Sequence, residues 1–140
     1  MSRSSKRKQQ TAYSIQHDLP KFIYWLPAIL YMLLIFGLSC YPAPEPIRKI
    51  PIIYDIKLVH IVEYGVLSLL YAFALLNTTS LNYKQIFWTS VLLTVAYGIT
   101  DELHQCFVPQ RTCKLSDVLG DLLGALLFQW CWTKFRRQRT

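Results

Sequence analysis

Four apolar segments alternate with polar connections along the chain. The first runs from about Phe22 to Cys40 and contains no Asp, Glu, Lys, Arg or His. About 20 apolar residues are enough for one helical crossing of a bilayer. This segment is too long for the usual core of a cleaved signal peptide, and the YPAPEP sequence after it is poor for cleavage. The pattern therefore predicts a retained membrane-spanning helix.

Three further helices are predicted from the remaining apolar segments. Their bounds are about Asp55 or Lys57 to Leu76, about Tyr83 to Leu103 or slightly beyond, and near Leu115 to Thr133. A proline-rich connection, the turn sequence NTTSLN and Pro109 separate the four helices. The expected fold class is all-α, a polytopic membrane protein built as a four-transmembrane-helix bundle.

Composition supports a membrane protein, because 53% of the 140 residues are hydrophobic, a high share for a soluble domain. The expected organisation is a basic, disordered cytoplasmic tail at 1–20, one membrane domain at 21–134 and a basic cytoplasmic tail at 135–140. With both termini inside, ten Lys and Arg lie on the inner side and five on the outer side. The positive-inside rule therefore predicts that both termini are cytoplasmic.

The net charge of +7 does not point to nucleic acid, since no basic patch interleaved with aromatic residues is present. Most basic residues flank the first and last apolar segments. Such residues interact with anionic lipid headgroups, so membrane lipids are the expected partners. The sequence does not fix the oligomeric state.

The acidic residues are distributed differently. Seven of the eight, all but Asp18, fall in the outer loops or at the outer ends of the last three helices. At 100° per residue, the acidic residues and their neighbours form one stripe on each of the last three helices. The stripes comprise Lys57, His60, Glu63 and Tyr64; Asp101, His104 and Gln105; and Asp117, Asp121 and Gly124. An ionised side chain inside a bilayer costs about 2.5 to 3.5 kcal/mol, so the stripes are expected to turn towards each other.

A shared ligand-binding pocket at the outer face is the resulting prediction. Its expected residues are Lys57, His60, Glu63, Tyr64, Asp101, Glu102, Gln105, Arg111, Asp117 and Asp121. In a binding or envelope-modifying protein, Lys57 and Arg111 would contact an anionic phosphate. In a membrane-embedded enzyme acting on a phosphate- or acyl-bearing lipid, His60 or His104 would be the general base, with Glu102 or Asp117 as its orienting partner.

Other interpretations stay open at this point. A divalent cation held by Glu63, Glu102, Asp117 and Asp121 fits the preference of Mg²⁺ or Mn²⁺ for carboxylates, although no specific metal motif is present and no cofactor is required. A small transporter would relay protons through Glu63, His60 and Asp121. A purely structural network is a further alternative for Asp101, Glu102 and His104. Cys106 and Cys113 flank the outer loop, where a bridge and free thiols are both compatible with the sequence.

Two motifs resemble those of VanZ-like membrane proteins. The first is K-x-x-H-x-x-E-Y from Lys57 to Tyr64, and the second is D-E-x-x-Q-x-x-x-P-x-R from Asp101 to Arg111, followed by Asp117, Asp121 and Gly124. The resemblance covers roughly Phe22 to Phe128. Gln110 stands where the family usually has glycine, and Ile56 precedes Lys57 where the family often has an acid.

The resemblance implies a small bacterial protein of the cell envelope, embedded in the cytoplasmic (inner) membrane. The founding member of the family is associated with resistance to the glycopeptide antibiotic teicoplanin, and no reaction mechanism comes with the family name. The implied setting places the polar residues where wall precursors and such antibiotics meet the lipid. A lipid-linked envelope component is therefore an expected ligand.

Overall fold

A computed structural model describes residues 20–41, 58–109, 111 and 113–138 of the chain. Within these ranges the protein is all-α, as predicted, and contains no strand. A 3-10 turn, Lys21–Trp25, leads into α1, Leu26–Ser39. The remaining helices are α2, Leu58–Thr78; α3, Tyr83–Gln105; and α4, Leu115–Arg137. The predicted start of the second helix at Asp55 or Lys57 lies outside the described residues.

The helix bounds differ from the predicted ones by a few residues, for local reasons. Pro27 occupies the first turn of α1, where its missing N–H has no helical partner to lose, so the regular helix begins later than Phe22. At its other end α4 continues past Thr133 to Arg137. No proline or glycine interrupts that segment, and basic residues are favourable near the C-terminal end of a helix.

The turn between α2 and α3 is fixed by side chains. Thr78 and Thr79 donate to the carbonyl oxygens of Ala74 and Leu75 at the end of α2. Asn82 then caps α3, because its side chain accepts from the backbone N–H of Gln85 while the Gln85 side chain accepts from the backbone N–H of Asn82. This reciprocal capping box satisfies two N–H groups that the helix itself cannot.

Close helix contacts depend on three glycines. Gly124 of α4 lies directly against the backbone carbonyl of Ile61 in α2, and Gly65 of α2 lies against the ring of Phe128. Gly98 of α3 faces the carboxylate of Asp121. Small residues of this kind allow helices to approach closely where lipid provides no hydrophobic driving force.

The outer surface of the bundle is strongly apolar. On α1, Leu30 and Leu33 are 64% and 62% exposed, and Leu92 on α3 is 69% exposed. Within the described ranges, the segments Lys21–Ser39 and Leu58–Thr78 are long and apolar enough to cross a membrane by length and composition. Crossing by all four helices and the cytoplasmic position of the termini stay predictions.

The two ends of the bundle have different cores. The polar end is where α1 and α3 end and α2 and α4 begin, and it contains the buried carboxylates Asp101, Glu102, Asp117 and Asp121. The apolar end is the opposite end. Its core consists of Ala72, Leu75 and Ile86, with Trp132 and other partly buried side chains packed against them.

Candidate functional site

Asp101 is the centre of one hydrogen-bond network at the polar end. Its Oδ2 atom accepts from Ser39 Oγ at 2.9 Å, from Tyr64 Oη at 3.0 Å and from Gln105 Nε2 at 2.9 Å. Gln105 Nε2 also lies 3.3 Å from Ser39 Oγ. Asp101 is only 4% exposed, so these three donors from three helices provide the polar surroundings that a buried carboxylate needs.

His60 is the centre of a second network. Its Nδ1 atom lies 2.9 Å from Asp121 Oδ1, within hydrogen-bond distance, and its Nε2 atom lies 3.6 Å from Asp117 Oδ2. The two carboxylates come from successive turns of α4, because four residues separate positions on one helix face. The imidazole is therefore held between two acidic side chains of one neighbouring helix.

Tyr64 connects the two networks. Its ring is stacked on the imidazole of His60 with centroids 5.9 Å apart and planes 5° apart, while its hydroxyl donates to Asp101. Residues i and i+4 lie on the same helix face, which explains why His60 and Tyr64 of α2 meet. Tyr64 therefore contacts one member of each network.

The loop between α3 and α4 is attached to the polar end by two contacts. Glu102 Oε1 accepts a hydrogen bond from the backbone N–H of Lys114, which is the N-cap residue of α4. Cys106 and Cys113 are joined in a disulfide, with their Cα atoms 4.8 Å apart. Of the two states that the sequence left open for these cysteines, the structure has the bridge.

Arg111 attaches the same loop to α1. Its Nε and Nη2 atoms donate to the carbonyl oxygens of Tyr41 at 2.8 Å and Leu38 at 2.9 Å. The last carbonyls of a helix lack partners within the helix. The guanidinium therefore binds one acceptor in the last turn of α1 and one just beyond the helix, and three of its five N–H groups are not used in these bonds.

His104 and Glu63 are placed differently from the other candidates. His104 lies against α1, with Nε2 3.6 Å from Cys40 Sγ and its ring centroid 4.6 Å from that of Phe36. Among the described residues Glu63 has no hydrogen bond or ion pair, but it interacts electrostatically with His60, Asp101, Asp121 and Arg111. Lys57 lies outside the described residues.

A metal site does not form from the predicted carboxylates within the described ranges, which contain no group of three or more His, Cys, Asp and Glu side chains able to hold a metal ion. Glu102 is engaged by the start of α4, and Asp121 by His60. Asp117 and Asp121 thus face His60, while Glu102 is engaged by the backbone at the start of α4.

Two residues of the site were missed in the sequence. Ser39 lies at the end of α1 and donates to Asp101. Its hydroxyl group, at the outer end of a helix without charged residues, was the sequence feature that could have indicated this role. Gly98 faces the Asp121 carboxylate, where a Cβ atom would overlap it. Its four-residue spacing from Glu102 and three-residue spacing from Asp101 placed it on their side of α3.

Fold and site together define an all-α protein with apolar outer helix faces and a cluster of ionisable side chains buried at one end. A family model described as VanZ/LLP1 matches residues 25–136. The match covers most of the 140 residues, so the chain belongs to the VanZ/LLP1 family. Neither a curated protein nor a solved structure matches the chain.

Proposed function

We propose that the chain is a multi-pass protein of the bacterial cytoplasmic membrane, with four crossings and both termini in the cytoplasm. Family membership and the two apolar helices support a membrane protein. The outward side chains of α4 support a further crossing, since Leu119 and Leu123 are 57% and 58% exposed. Exposed leucines on several successive turns are favourable in lipid and unfavourable in water.

Two features support the orientation with the polar end outside. Ten of the fifteen Lys and Arg residues would then lie on the cytoplasmic side. The Cys106–Cys113 disulfide would lie on the oxidising side, where disulfides persist. Reporters fused to the C-terminus test this orientation: we expect a fluorescent protein to be active and alkaline phosphatase to be inactive. High phosphatase activity would contradict it.

The polar end, in this proposal, binds or modifies the headgroup of an anionic lipid or a lipid-linked envelope component. One observation carries the proposal: Asp101 and Asp121 are buried beside the half-buried imidazole of His60, although ionisable groups are costly inside a bilayer. Such residues usually mark a ligand or ion site. The link to the cell envelope, and to resistance against a glycopeptide such as teicoplanin, rests on the family resemblance.

Arg111 is the described cation best placed for an anionic headgroup. Two of its N–H groups hold α1, and the remaining ones are available for phosphate oxygens, which guanidinium groups bind in bidentate geometry. Lys57, expected at the same end from its sequence position, would add a second positive charge. His60 and Tyr64 would orient the headgroup beneath these cations.

Native mass spectrometry of the purified protein with phosphatidylglycerol or a polyprenyl phosphate tests headgroup binding. His60→Gln removes the imidazole from the cluster, and we expect it to weaken binding of the recognised lipid at least about tenfold. His104→Gln is the matched control, since His104 faces α1, and it should bind as the unaltered protein does. Equal binding by both variants would contradict the proposal.

The envelope role has its own test. Expression in a teicoplanin-susceptible bacterium is expected to raise the inhibitory concentration of teicoplanin, and His60→Gln is expected to abolish the increase. His104→Gln should retain it. Unchanged susceptibility with the unaltered chain present in the membrane would contradict a resistance role while leaving headgroup binding to be judged by mass spectrometry.

A membrane-embedded enzyme is the second candidate, and the distance of 2.9 Å between His60 Nδ1 and Asp121 Oδ1 favours it. A carboxylate that orients an imidazole through one nitrogen prepares the other nitrogen for proton transfer. Purified protein would then turn over a polyprenyl phosphate or glycerophospholipid, and Asp121→Asn would reduce the rate. No turnover with or without Mg²⁺ would exclude this candidate.

A further inference from the structure

A disulfide closes the loop between α3 and α4 at the polar end. Cys106 is the C-cap residue of α3, and Cys113 directly precedes Lys114, the N-cap residue of α4. Both cysteines are exposed. Exposed disulfides are reduced more easily than buried structural ones, and they are the class to which regulatory disulfides belong. A soluble reductant can therefore reach this bond from the side of the polar end.

The closed loop contains Arg111, which attaches it to α1. The guanidinium donates to the carbonyl oxygens of Leu38 and Tyr41, and it also interacts electrostatically with Glu63 of α2. The position of the loop therefore decides where one positive charge of the polar end lies.

Few other contacts hold the described part of the loop. Phe107 is 86% exposed and Pro109 is also exposed, so neither side chain is buried against the bundle. Within the loop, the backbone N–H of Arg111 donates to the carbonyl oxygen of Val108 at 3.2 Å. Opening of the disulfide would increase the number of conformations of this segment. The two hydrogen bonds of Arg111 to α1 are exposed to solvent, where a hydrogen bond contributes little net free energy.

The helices on both sides of the loop have separate connections. Glu102 of α3 accepts from the backbone N–H of Lys114 at the start of α4, and Gly98 of α3 faces Asp121 of α4. Neither contact involves a cysteine. Reduction of the disulfide is therefore expected to change the loop while the bundle stays folded.

We propose that the Cys106–Cys113 disulfide is a redox-sensitive restraint on Arg111, which holds the guanidinium against α1 until a dithiol reduces the bond and releases the loop. A thiolate of the dithiol attacks one sulfur, forms a mixed disulfide with it and releases the other cysteine as a thiolate. The second thiol of the reductant then displaces the first cysteine. Two electrons and two protons pass to the cysteines, which become thiols, and the reductant becomes a disulfide.

Release of Arg111 has a consequence for lipid binding, and this step rests on the proposed function, in which Arg111 contacts a phosphate. A group that is already positioned loses less conformational freedom when it binds. Reduction should therefore lower the affinity for phosphatidylglycerol or polyprenyl phosphate severalfold in native mass spectrometry. Reoxidation should restore it.

Limited digestion with trypsin, which cleaves after arginine and lysine, measures the release of the loop directly. The unaltered protein is compared with and without prior dithiothreitol, and N-ethylmaleimide then blocks the new thiols. Cys40 and Cys131 are the other two of the four cysteines and are free, so the reduced protein should carry two additional modified thiols. Samples are fully reduced after digestion has been stopped, which makes a cut inside the closed loop visible.

We expect reduction to accelerate cleavage after Arg111 at least about fivefold, because proteases act on locally opened segments. Cleavage after Lys84, which is exposed at the start of α3 at the apolar end, is the internal control and should not change. A disulfide that resists dithiothreitol until the protein unfolds would overturn the proposal. Equal cleavage after Arg111 in the oxidised and reduced proteins would also overturn it.

A double variant, Cys106→Ser with Cys113→Ser, gives the open loop without a reductant. It should be cleaved and bind lipid as the reduced protein does, and dithiothreitol should change neither property. The matched control, Cys40→Ser with Cys131→Ser, keeps the disulfide and should respond to dithiothreitol as the unaltered protein does.

The lipid measurements separate this proposal from the proposed function. Binding by the oxidised protein that is unchanged on reduction would overturn redox control of the site. If the oxidised protein bound neither lipid, the proposed function would fail, and the digestion rates would still decide whether the disulfide restrains Arg111.

Discussion

The polar end and the apolar end of the bundle use the same helices for different purposes. At the apolar end Ala72, Leu75 and Ile86 fill the space between helices with hydrocarbon. At the polar end the buried Asp101 and the half-buried His60 lie between the helices instead. Burying ionisable groups costs free energy even when they are paired, whereas apolar packing is favourable. The apolar end therefore stabilises the bundle, and the cost of burial at the polar end fits the binding role proposed for it.

Substitution of Gly124 should have the largest effect on stability. A Cβ atom there would overlap the backbone carbonyl of Ile61, and backbone in the middle of a helix has little freedom to move away. We expect Gly124→Val to lower the free energy of unfolding by about 3 kcal/mol or more, the upper part of the range for overpacked sites. Unfolding in mixed detergent micelles measures this loss.

Gly37 provides the matched control, because a Cβ atom added there meets no atom within 4 Å. Gly37→Val should leave the unfolding midpoint unchanged. If the two valine variants unfolded alike, close approach of α2 and α4 would not be what holds the polar stripes of these helices together.

Ile86→Ala tests the apolar end alone. Ile86 is 1% exposed and belongs to the apolar core, so removal of its side-chain carbons should cost about 2 to 4 kcal/mol. Headgroup binding by the folded fraction should not change, since Ile86 lies several turns away from Asp101 on α3. A loss of lipid affinity at temperatures where the variant is folded would contradict the separation of the two ends.

Periodicity in the sequence predicts the helices well, and it predicts which residues turn inwards. It placed His60, Tyr64, Asp101 and Asp121 on inward faces at one end, and the structure brings these four together. Apolar runs with a polar stripe are a property of each helix alone, so one sequence is enough to find them.

The choice of partners could not be predicted in the same way. Glu102 or Asp117 was the expected orienting partner of His60 or His104. In the structure Asp117 lies 3.6 Å from His60, but Asp121, at 2.9 Å, makes the hydrogen bond. One helical turn separates Asp117 from Asp121, so a shift of about 5 Å between α2 and α4 would exchange them, and periodicity does not fix that shift. His104 was predicted on the same stripe as Asp101, but it contacts Phe36 of α1 and does not join the His60 network. The orientation of α1 depends on packing, which one sequence does not reveal.

The Asp101 network should show graded effects. Asp101→Ala removes the acceptor of three hydrogen bonds and leaves buried donors unsatisfied, so we expect a loss of about 2 to 3 kcal/mol. Tyr64→Phe and Ser39→Ala each remove one donor and should cost about 1 kcal/mol. Of these two, only Tyr64→Phe should also weaken lipid binding, because Tyr64 alone contacts His60. Equal effects of both on binding would mean that Tyr64 does not link the two networks.

Arg→Lys substitutions at the two ends should have the smallest effects on stability and the most selective effects on lipid binding. At the polar end Arg111 donates to the carbonyl oxygens of Leu38 in α1 and of Tyr41 just after it. At the apolar end Arg136 lies over Trp132 and donates to Tyr83 Oη at 3.2 Å. Lysine keeps the charge but loses the planar fork of donors. Each Arg→Lys variant should therefore lose about 1 kcal/mol or less of stability, as expected for a partly replaced hydrogen bond.

The two variants should differ in binding even though they resemble each other in stability. Arg111→Lys removes the bidentate donors that we assign to a phosphate, so the affinity for phosphatidylglycerol or polyprenyl phosphate should fall severalfold in native mass spectrometry. Arg136→Lys should leave the same affinity unchanged, since it contacts only the opposite end. Equal losses from both would mean that the measured lipid is held by net positive charge along the chain and that the polar end has no selective role in its recognition.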